Sequence, residues 1–249
     1  MPPEKPLPRF SLVIPAYNEE RFLPRLLDSV EAAAHRYARG AAAVEVIVAD
    51  NASTDRTAEL ARERRCRVVP VVKRSIAAAR NAGGAAARGE FVGFVDADMQ
   101  IHSGTFDAIE RALASDRIVG GATGCTLERW SLGLAVTYAL FLPVVWLTGF
   151  DTGVVFCRSR DFEATGGYDE SMRVAEDVRF LLALRQLGRR QGKRLTRLKH
   201  VKAVVSTRKF DEYGDWHYLT TIPRLAAGLV LKRPSSLQEI ERYWYEPRR

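Results

Sequence analysis

The chain has 249 residues, 47% of them hydrophobic and 27% charged, which is an ordinary globular composition long enough for one large core without disulfide or metal staples. Lys and Arg number 38 against 30 Asp and Glu, a formal charge of +8, which suits an anionic partner such as nucleic acid, a phosphorylated substrate or an acidic membrane surface. An acidic disordered chain, a collagen-like repeat and a disulfide scaffold are excluded. The three cysteines, Cys66, Cys125 and Cys157, form no CxxC pair and fit a reducing cytoplasm, and the four histidines show no HExxH spacing.

Residues 1–9 are Pro-rich and lack an apolar signal region, so they read as a disordered arm. Phe10–Pro15 is a short apolar run closed by proline, a buried strand. A helix is expected from Asn18 to Tyr37, with Phe22, Leu26 and Val30 at helical spacing and Asn18 as its cap. Val44–Ala49 is a second strand, and Ser53-Thr54-Asp55 opens a helix reaching about Arg65. Val68–Val72 is a third strand. Ser75 begins an alanine-rich helix that stops at Gly89, and Phe91–Val95 is a fourth strand ending in Asp96. The βαβαβαβ order predicts a parallel sheet with helices on both faces, which binds ligands at the carboxyl ends of its strands.

The second half is less regular. Phe106–Leu113 reads as a helix, Ile118–Thr123 as a strand, Thr152–Cys157 as a strand and Ser159–Thr165 as a short helix. Ala175–Gly188 is a helix, Val201–Val205 a candidate strand and Asp215–Leu231 a helix. Leu132–Phe150 carries no charge over 19 residues, the minimum for a bilayer span. Pro143 interrupts it and Trp130 and Trp146 lie near its ends, so a buried or interfacial helix pair is expected instead. No internal repeat or linker is evident.

The chemistry-bearing residues gather at strand ends. Asp96-Ala97-Asp98 places two carboxylates where the fourth strand stops, a pattern that suits Mg2+ or Mn2+ when a substrate brings phosphates. A solvated turn reads the same way. Asp50 ends the second strand, and Tyr17 and Glu19 follow the first. Three successive strand ends thus carry Glu19, Asp50 and Asp96, and a parallel sheet brings them to one edge. Glu176-Asp177 opens a helix, where a carboxylate either favours the helix dipole or serves as a general base. Gly83-Gly84 and Gly89 make no GxGxxG after a strand, and neither GxxxxGK[ST] nor GxSxG occurs, which disfavours dehydrogenase and P-loop sites.

Taken as an ordered set, Val13-Ile14-Pro15-Ala16-Tyr17-Asn18-Glu19-Glu20, Asp50-Asn51-Ala52-Ser53-Thr54-Asp55, Ala79-Arg80-Asn81-Ala82-Gly83, Asp96-Ala97-Asp98, Gly166-Gly167-Tyr168-Asp169-Glu170 and Glu176-Asp177 resemble the motifs of family two of the inverting glycosyltransferases, across about residues 10–190. The resemblance implies the GT-A fold: a mostly parallel central sheet flanked by helices, with a nucleotide-sugar-binding half (10–98), a variable acceptor half (99–230) and a C-terminal extension (231–249). It implies a nucleotide-diphosphate sugar donor of the UDP or GDP type. Pro15, Ala16, Tyr17, Glu19, Asp50, Arg80, Asp96 and Ala97 would bind that donor, with Lys73 and Arg74 as neighbours of base or phosphate. Asp98 and Asp96 would hold Mg2+ or Mn2+, and Asp177, with Glu176 beside it, would be the catalytic base. Gly153 and Gly166-Gly167 would let backbone approach sugar and acceptor.

Two departures from the family pattern stand out. Asn51 follows Asp50 where a second Asp is frequent, and no QxxRW follows Glu176-Asp177, so single-sugar transfer is expected over processive synthesis. Arg208, Lys209 and His217 read either as site residues or as satisfied surface and core groups. The basic run Arg185–Lys199 reads either as a solvated helix end and loop or as a contact for anionic lipid headgroups or a lipid phosphate acceptor. Nucleic acid is not expected, because no recognised module accompanies the charge. The expected location is cytoplasmic, with peripheral contact at the inner membrane face left open. A nucleotidyltransferase and a non-catalytic nucleotide-sugar binder stand as alternatives. The first lacks its Gly-rich loop after strand one, and the second has no need of a base at Asp177.

Overall fold

A computed structural model describes residues 7–148, 153–172, 175–217 and 219, with backbone alone over 141–148. Residues 1–6 of the expected 1–9 arm, 149–150 of the apolar segment, Thr152 of the expected 152–157 strand, nearly all of the expected 215–231 helix and the extension 231–249 lie outside the described residues. The strands are β1 (Phe10–Ala16), β2 (Val44–Asp50), β3 (Arg67–Pro70), β4 (Phe91–Phe94), β5 (Met99–Gln100), β6 (Ile118–Leu127), β7 (Val155–Arg158) and β8 (Arg194–Val205). The helices are α1 (Leu23–Arg36), α2 (Thr57–Glu63), α3 (Ile76–Ala86), α4 (Thr105–Leu113), α5 (Leu132–Thr148), α6 (Ser159–Thr165), α7 (Glu176–Arg190) and α8 (Arg208–Tyr213). The strands form one sheet in the order β3-β2-β1-β4-β7-β6-β8-β5.

The parallel part is the run β3-β2-β1-β4, in the βα order read from the sequence. Beyond β4 the pairings of β7 with β4 and β6, and of β5 with β8, are antiparallel. Both faces of β1 are covered, which is why it is a continuous apolar run rather than an alternating one. Phe10, Leu12 and Ile14 meet α1 and α4 side chains such as Leu26 and Ile109, while Val13 meets Ala77 of α3. A Cβ on Gly83 would collide with the Val13 side chain, so the glycine lets α3 lie directly on β1.

Three local expectations are corrected. Helix α1 starts at Leu23 with Phe22 as its cap residue, not at Asn18. Asn18 sits at φ 54° and its Oδ1 accepts from the Thr54 amide at 2.7 Å, so it is occupied in a turn. The apolar segment is one helix, α5, continuous through Pro143, not a helix pair. Among the described residues no helix is long and apolar enough to cross a membrane. The basic run does not remain a loop after α7. Its second part is β8, which starts at Arg194 and buries Leu198, Val201 and Ala203 while Lys199 and Lys202 face outward.

The chain divides into two compact units: Met1–Thr126 with Thr148–Val205, and Leu127–Leu147 with Ser206–Arg249. Within the second, Arg129 donates to Asp211 at 2.8 Å and to Asp215 at 2.6 Å, joining the start of α5 to the region around α8. His217 Nδ1 donates to the Gly214 carbonyl at 2.7 Å, and the ring packs edge-on to Phe210.

Within the first unit, the buried Arg158 ties β7 to α4. Its guanidinium donates to the carbonyls of Ile118 (2.8 Å), Ser115 (3.3 Å) and Leu113, the last residue of α4, and pairs with buried Asp161 at 3.6 Å. A cation there satisfies helix-end carbonyls. Arg158→Ala should therefore lower stability by about 3–5 kcal/mol, the range for stranding a buried charge. Urea unfolding measures it, and a loss under about 1 kcal/mol would mean that Asp161 rehydrates freely.

Candidate active site

The carboxyl ends of β1, β2 and β4 terminate at one edge. Ala16 pairs with Asp50 in register, and the Val95 amide, just past β4, donates to the Val13 carbonyl at 3.1 Å. The loops after β1 and β2 are stitched together. The Asn18 amide donates to Ser53 Oγ (3.0 Å), the Glu19 amide to Thr57 Oγ1 (2.8 Å) and the Glu20 amide to Asp55 Oδ2 (3.1 Å). Ser53 and Asp55 thus hold the neighbouring loop, which is more than the helix-starting role read for them. Asp50 Oδ1 accepts from the Ser53 amide at 3.3 Å. Tyr17 lies under the Arg74 guanidinium, 4.4 Å from its ring centre. The methyl groups of Ala16 and Ala97 are buried in the core, so at the edge these residues present backbone.

Arg80 gathers the acidic residues. It lies on α3, 3% exposed, where Ser75 caps the helix by accepting from the Ala78 amide at 3.4 Å. Its Nη2 donates to Asp96 Oδ1 at 2.7 Å, and its Nη1 donates to Glu176 Oε1 at 2.7 Å and lies 2.9 Å from Asp177 Oδ1. The end of β4 and the first turn of α7 therefore meet on one guanidinium. Arg80 Nε is buried without a hydrogen-bond partner among the described residues. Ala175, the residue before Glu176, is left-handed at φ 62°, a conformation disfavoured for a residue with a Cβ.

Burial by itself would push Arg80 toward its neutral form. The charges of Asp177 and Asp96 more than reverse that and hold it protonated. Asp177 behaves oppositely. Burial raises its pKa, Arg80 opposes this, and the charges of Asp96 and Glu176 add to it, leaving the group at about 7. Tyr168, buried 5.1 Å below the Arg80 guanidinium, has its phenol proton held by burial and by the Asp177 charge.

Asp96 and Asp98 are the half-buried carboxylates at the end of β4. Among the described residues no three Asp, Glu, His or Cys side chains cluster to hold an ion unaided. A pair of carboxylates fits a hard divalent ion that takes its remaining ligands from phosphates and water. Lys73, expected near base or phosphate, pairs with Glu170 at 2.7 Å. Arg208, Lys209 and His217 belong to the second compact unit. Two residues of the site were not singled out beforehand: Tyr168 and Asn81. Both lie inside motifs already noted, and their signal was position within those motifs alone.

The fold is that of the GT-A glycosyltransferases. Solved structures of similar fold include a mannosyltransferase from Pyrobaculum calidifontis in complex with GDP-Man and Mn2+ (TM-score 0.62, 22% identity, covering 80% of this chain and 56% of that one). Another is the glucosyl-3-phosphoglycerate synthase of Mycobacterium tuberculosis with Mn2+, UDP and phosphoglyceric acid (TM-score 0.59, 20% identity, covering 86% and 76%). Residues 11–148 match the model of glycosyl transferase family 2, and the chain belongs to that family. It is similar to an uncharacterized glycosyltransferase, EpsJ, of Bacillus subtilis, at 32% identity over 130 residues (50% of this chain, 36% of the relative). It is also similar to the undecaprenyl-phosphate 4-deoxy-4-formamido-L-arabinose transferase of Pseudomonas paraeruginosa, at 44% over 102 residues (38% of this chain, 29% of the relative). The chain thus spans about a third of the length of these curated relatives.

Removing Arg80 would leave three carboxylates facing one another. In Arg80→Ala the folded pKa of Asp177, already raised by burial and its carboxylate neighbours, rises further above its unfolded value, so the folded state binds more protons and stability falls as pH rises through that window. The variant should lose several kcal/mol relative to the parent at about pH 8 and much less at about pH 4. Thermal unfolding at the two pH values tests this, and a deficit independent of pH would mean that Arg80 acts through packing alone.

Proposed function

We propose that the chain is a metal-dependent inverting glycosyltransferase that moves one sugar from a UDP- or GDP-sugar to an acceptor by single displacement. The observation that carries the proposal is the meeting of Asp96, Glu176 and Asp177 on Arg80 at the carboxyl edge of the sheet, in a chain of glycosyl transferase family 2. Solved proteins of the same fold bind UDP with Mn2+ and GDP-Man with Mn2+, which supports a nucleotide-sugar donor and a divalent ion here.

In this reading Asp50, Tyr17 and Glu19, with the backbone of Pro15 and Ala16, hold the nucleoside at the ends of β1 and β2. Asp96 and Asp98 would hold Mg2+ or Mn2+, which neutralises charge on the departing diphosphate when bound. Arg80, kept protonated by its carboxylate neighbours, fixes Asp96 relative to Asp177 and supplies positive charge beside the diphosphate. Asp177 removes the proton of the acceptor hydroxyl as that oxygen attacks the anomeric carbon. The bond to the diphosphate breaks on the opposite face, and configuration inverts. A pKa of about 7 suits a base that must be ionised near neutrality and yet hold a proton. The Pseudomonas paraeruginosa relative is named for undecaprenyl phosphate, which favours a lipid-linked acceptor and work at a membrane surface for this chain too; a phosphate acceptor, already ionised, would attack without Asp177.

Thermal shift with UDP- and GDP-sugars, each with and without Mn2+, tests the donor class. A metal-dependent rise with one nucleotide, lost in Asp98→Asn, is expected, and no rise with any donor would overturn the proposal. Asp177→Asn should retain that rise and lose transfer to a hydroxyl about 100-fold or more. Unchanged transfer would remove Asp177 from the base role. Because the free enzyme's base must be ionised, kcat/KM of the parent should fall below about pH 7 and level off above it.

A further inference from the structure

We propose that Asn81 is a positioning residue, and that with Glu170 it latches the loop 166–170 onto α3 so that the first turn of α7 holds Asp177 in place. The inference rests on the glycosyltransferase reading for the role of Asp177, but the latch itself is a feature of the fold.

Asn81 follows Arg80 on α3. Its side chain treats the backbone of Tyr168 as a strand partner would. Oδ1 accepts from the Tyr168 amide at 2.7 Å, and Nδ2 donates to the Tyr168 carbonyl at 2.9 Å. Nδ2 also donates to Glu170 Oε1 at 3.0 Å, and Glu170 Oε2 accepts from Lys73 at 2.7 Å. One amide therefore fills three hydrogen bonds with a loop 87 residues away in sequence, close to its full capacity. The loop fits only as glycine permits. Gly167 is at φ 77°, and a Cβ there would lie 2.5 Å from Asn81 Oδ1.

The latch acts on the base through one ring. With its backbone fixed, Tyr168 stacks on Phe180 at 4.3 Å between ring centres and 20° between planes, while its face receives Arg80. Phe180 lies on α7, three residues after Asp177, so it shares that helix face with the carboxylate. Phe94 of β4 packs edge-on to Tyr168 at 5.1 Å and to Phe180 at 6.0 Å. Asn81 thus sets Tyr168, Tyr168 sets α7, and α7 sets Asp177 against the same guanidinium that Asn81's neighbour supplies. A base displaced by about 1 Å loses rate on the order of 100-fold while nucleotide contacts on β1 and β2 are untouched.

The test compares the full chain with Asn81→Ala and Glu170→Gln. Amide hydrogen exchange, which needs no substrate, should quicken about tenfold or more over 166–170 and over 175–180 in Asn81→Ala. Calorimetry with Mn2+-UDP and Mn2+-GDP should give dissociation constants within about threefold of the parent. Release of nucleoside diphosphate from UDP-glucose, UDP-N-acetylglucosamine or GDP-mannose, whichever the parent consumes, should fall about 100-fold in kcat with little change in KM. Glu170→Gln keeps an acceptor for Asn81 and should retain most of the rate. Exchange unchanged in either segment overturns the latch, and nucleotide binding that falls in step with kcat overturns the positioning role. A parent that binds neither nucleotide overturns the glycosyltransferase reading instead, while exchange still decides the latch.

Discussion

A buried guanidinium needs carboxylates, and much of the candidate site follows from that need. Arg80 is almost fully removed from water, where an unpaired cation would be prohibitively unfavourable. Its partners come from two places far apart in sequence: Asp96 from the end of β4 and Glu176 and Asp177 from the start of α7. The pairing fixes α7 to the sheet edge. It also accounts for the raised pKa of Asp177, where burial and the charges of Asp96 and Glu176 outweigh the pull of Arg80.

The arrangement depends on close approach as much as on charge. Helix α3 carries Arg80 inward because Gly83 lets it rest on Val13, and the loop before α7 reaches Asn81 because Gly167 accepts a left-handed backbone. On the other side the loops after β1 and β2 brace each other through Asn18, Ser53, Asp55 and Thr57. One edge thus carries two cross-braced loops after β1 and β2 and a carboxylate cluster hung from Arg80 and Tyr168, and the proposed donor and base roles rest on that division.

Much of the fold was legible because periodicity and strand ends are local. The first four strands and helices α3, α4 and α6 lie close to where apolar runs, Ser75 and the glycines place them. The errors had local causes too. Asn18 looked like a cap, but its side chain was claimed by Thr54 across the neighbouring loop. Pro143 looked like a break, but a helix tolerates it when the flanking residues remain helical. The basic run hid only the first part of β8: the strand expected at Val201–Val205 is there, but it begins at Arg194, where outward charged residues mask the alternation.

The sequence by itself determined that acidic residues close several strands of a βα sheet, that the charge is cationic, and that the ordered motifs are those of glycosyl transferase family 2. These are one-dimensional facts, carried by residue type and spacing. Tertiary structure alone decided that Glu176 and Asp177 are more than dipole partners of a helix start, since their role depends on Arg80 some 96 residues away. It also decided that Asn81 and Tyr168 belong to the same device. Pairing across that distance is set by packing and by the need to neutralise a buried cation, and no local pattern encodes it.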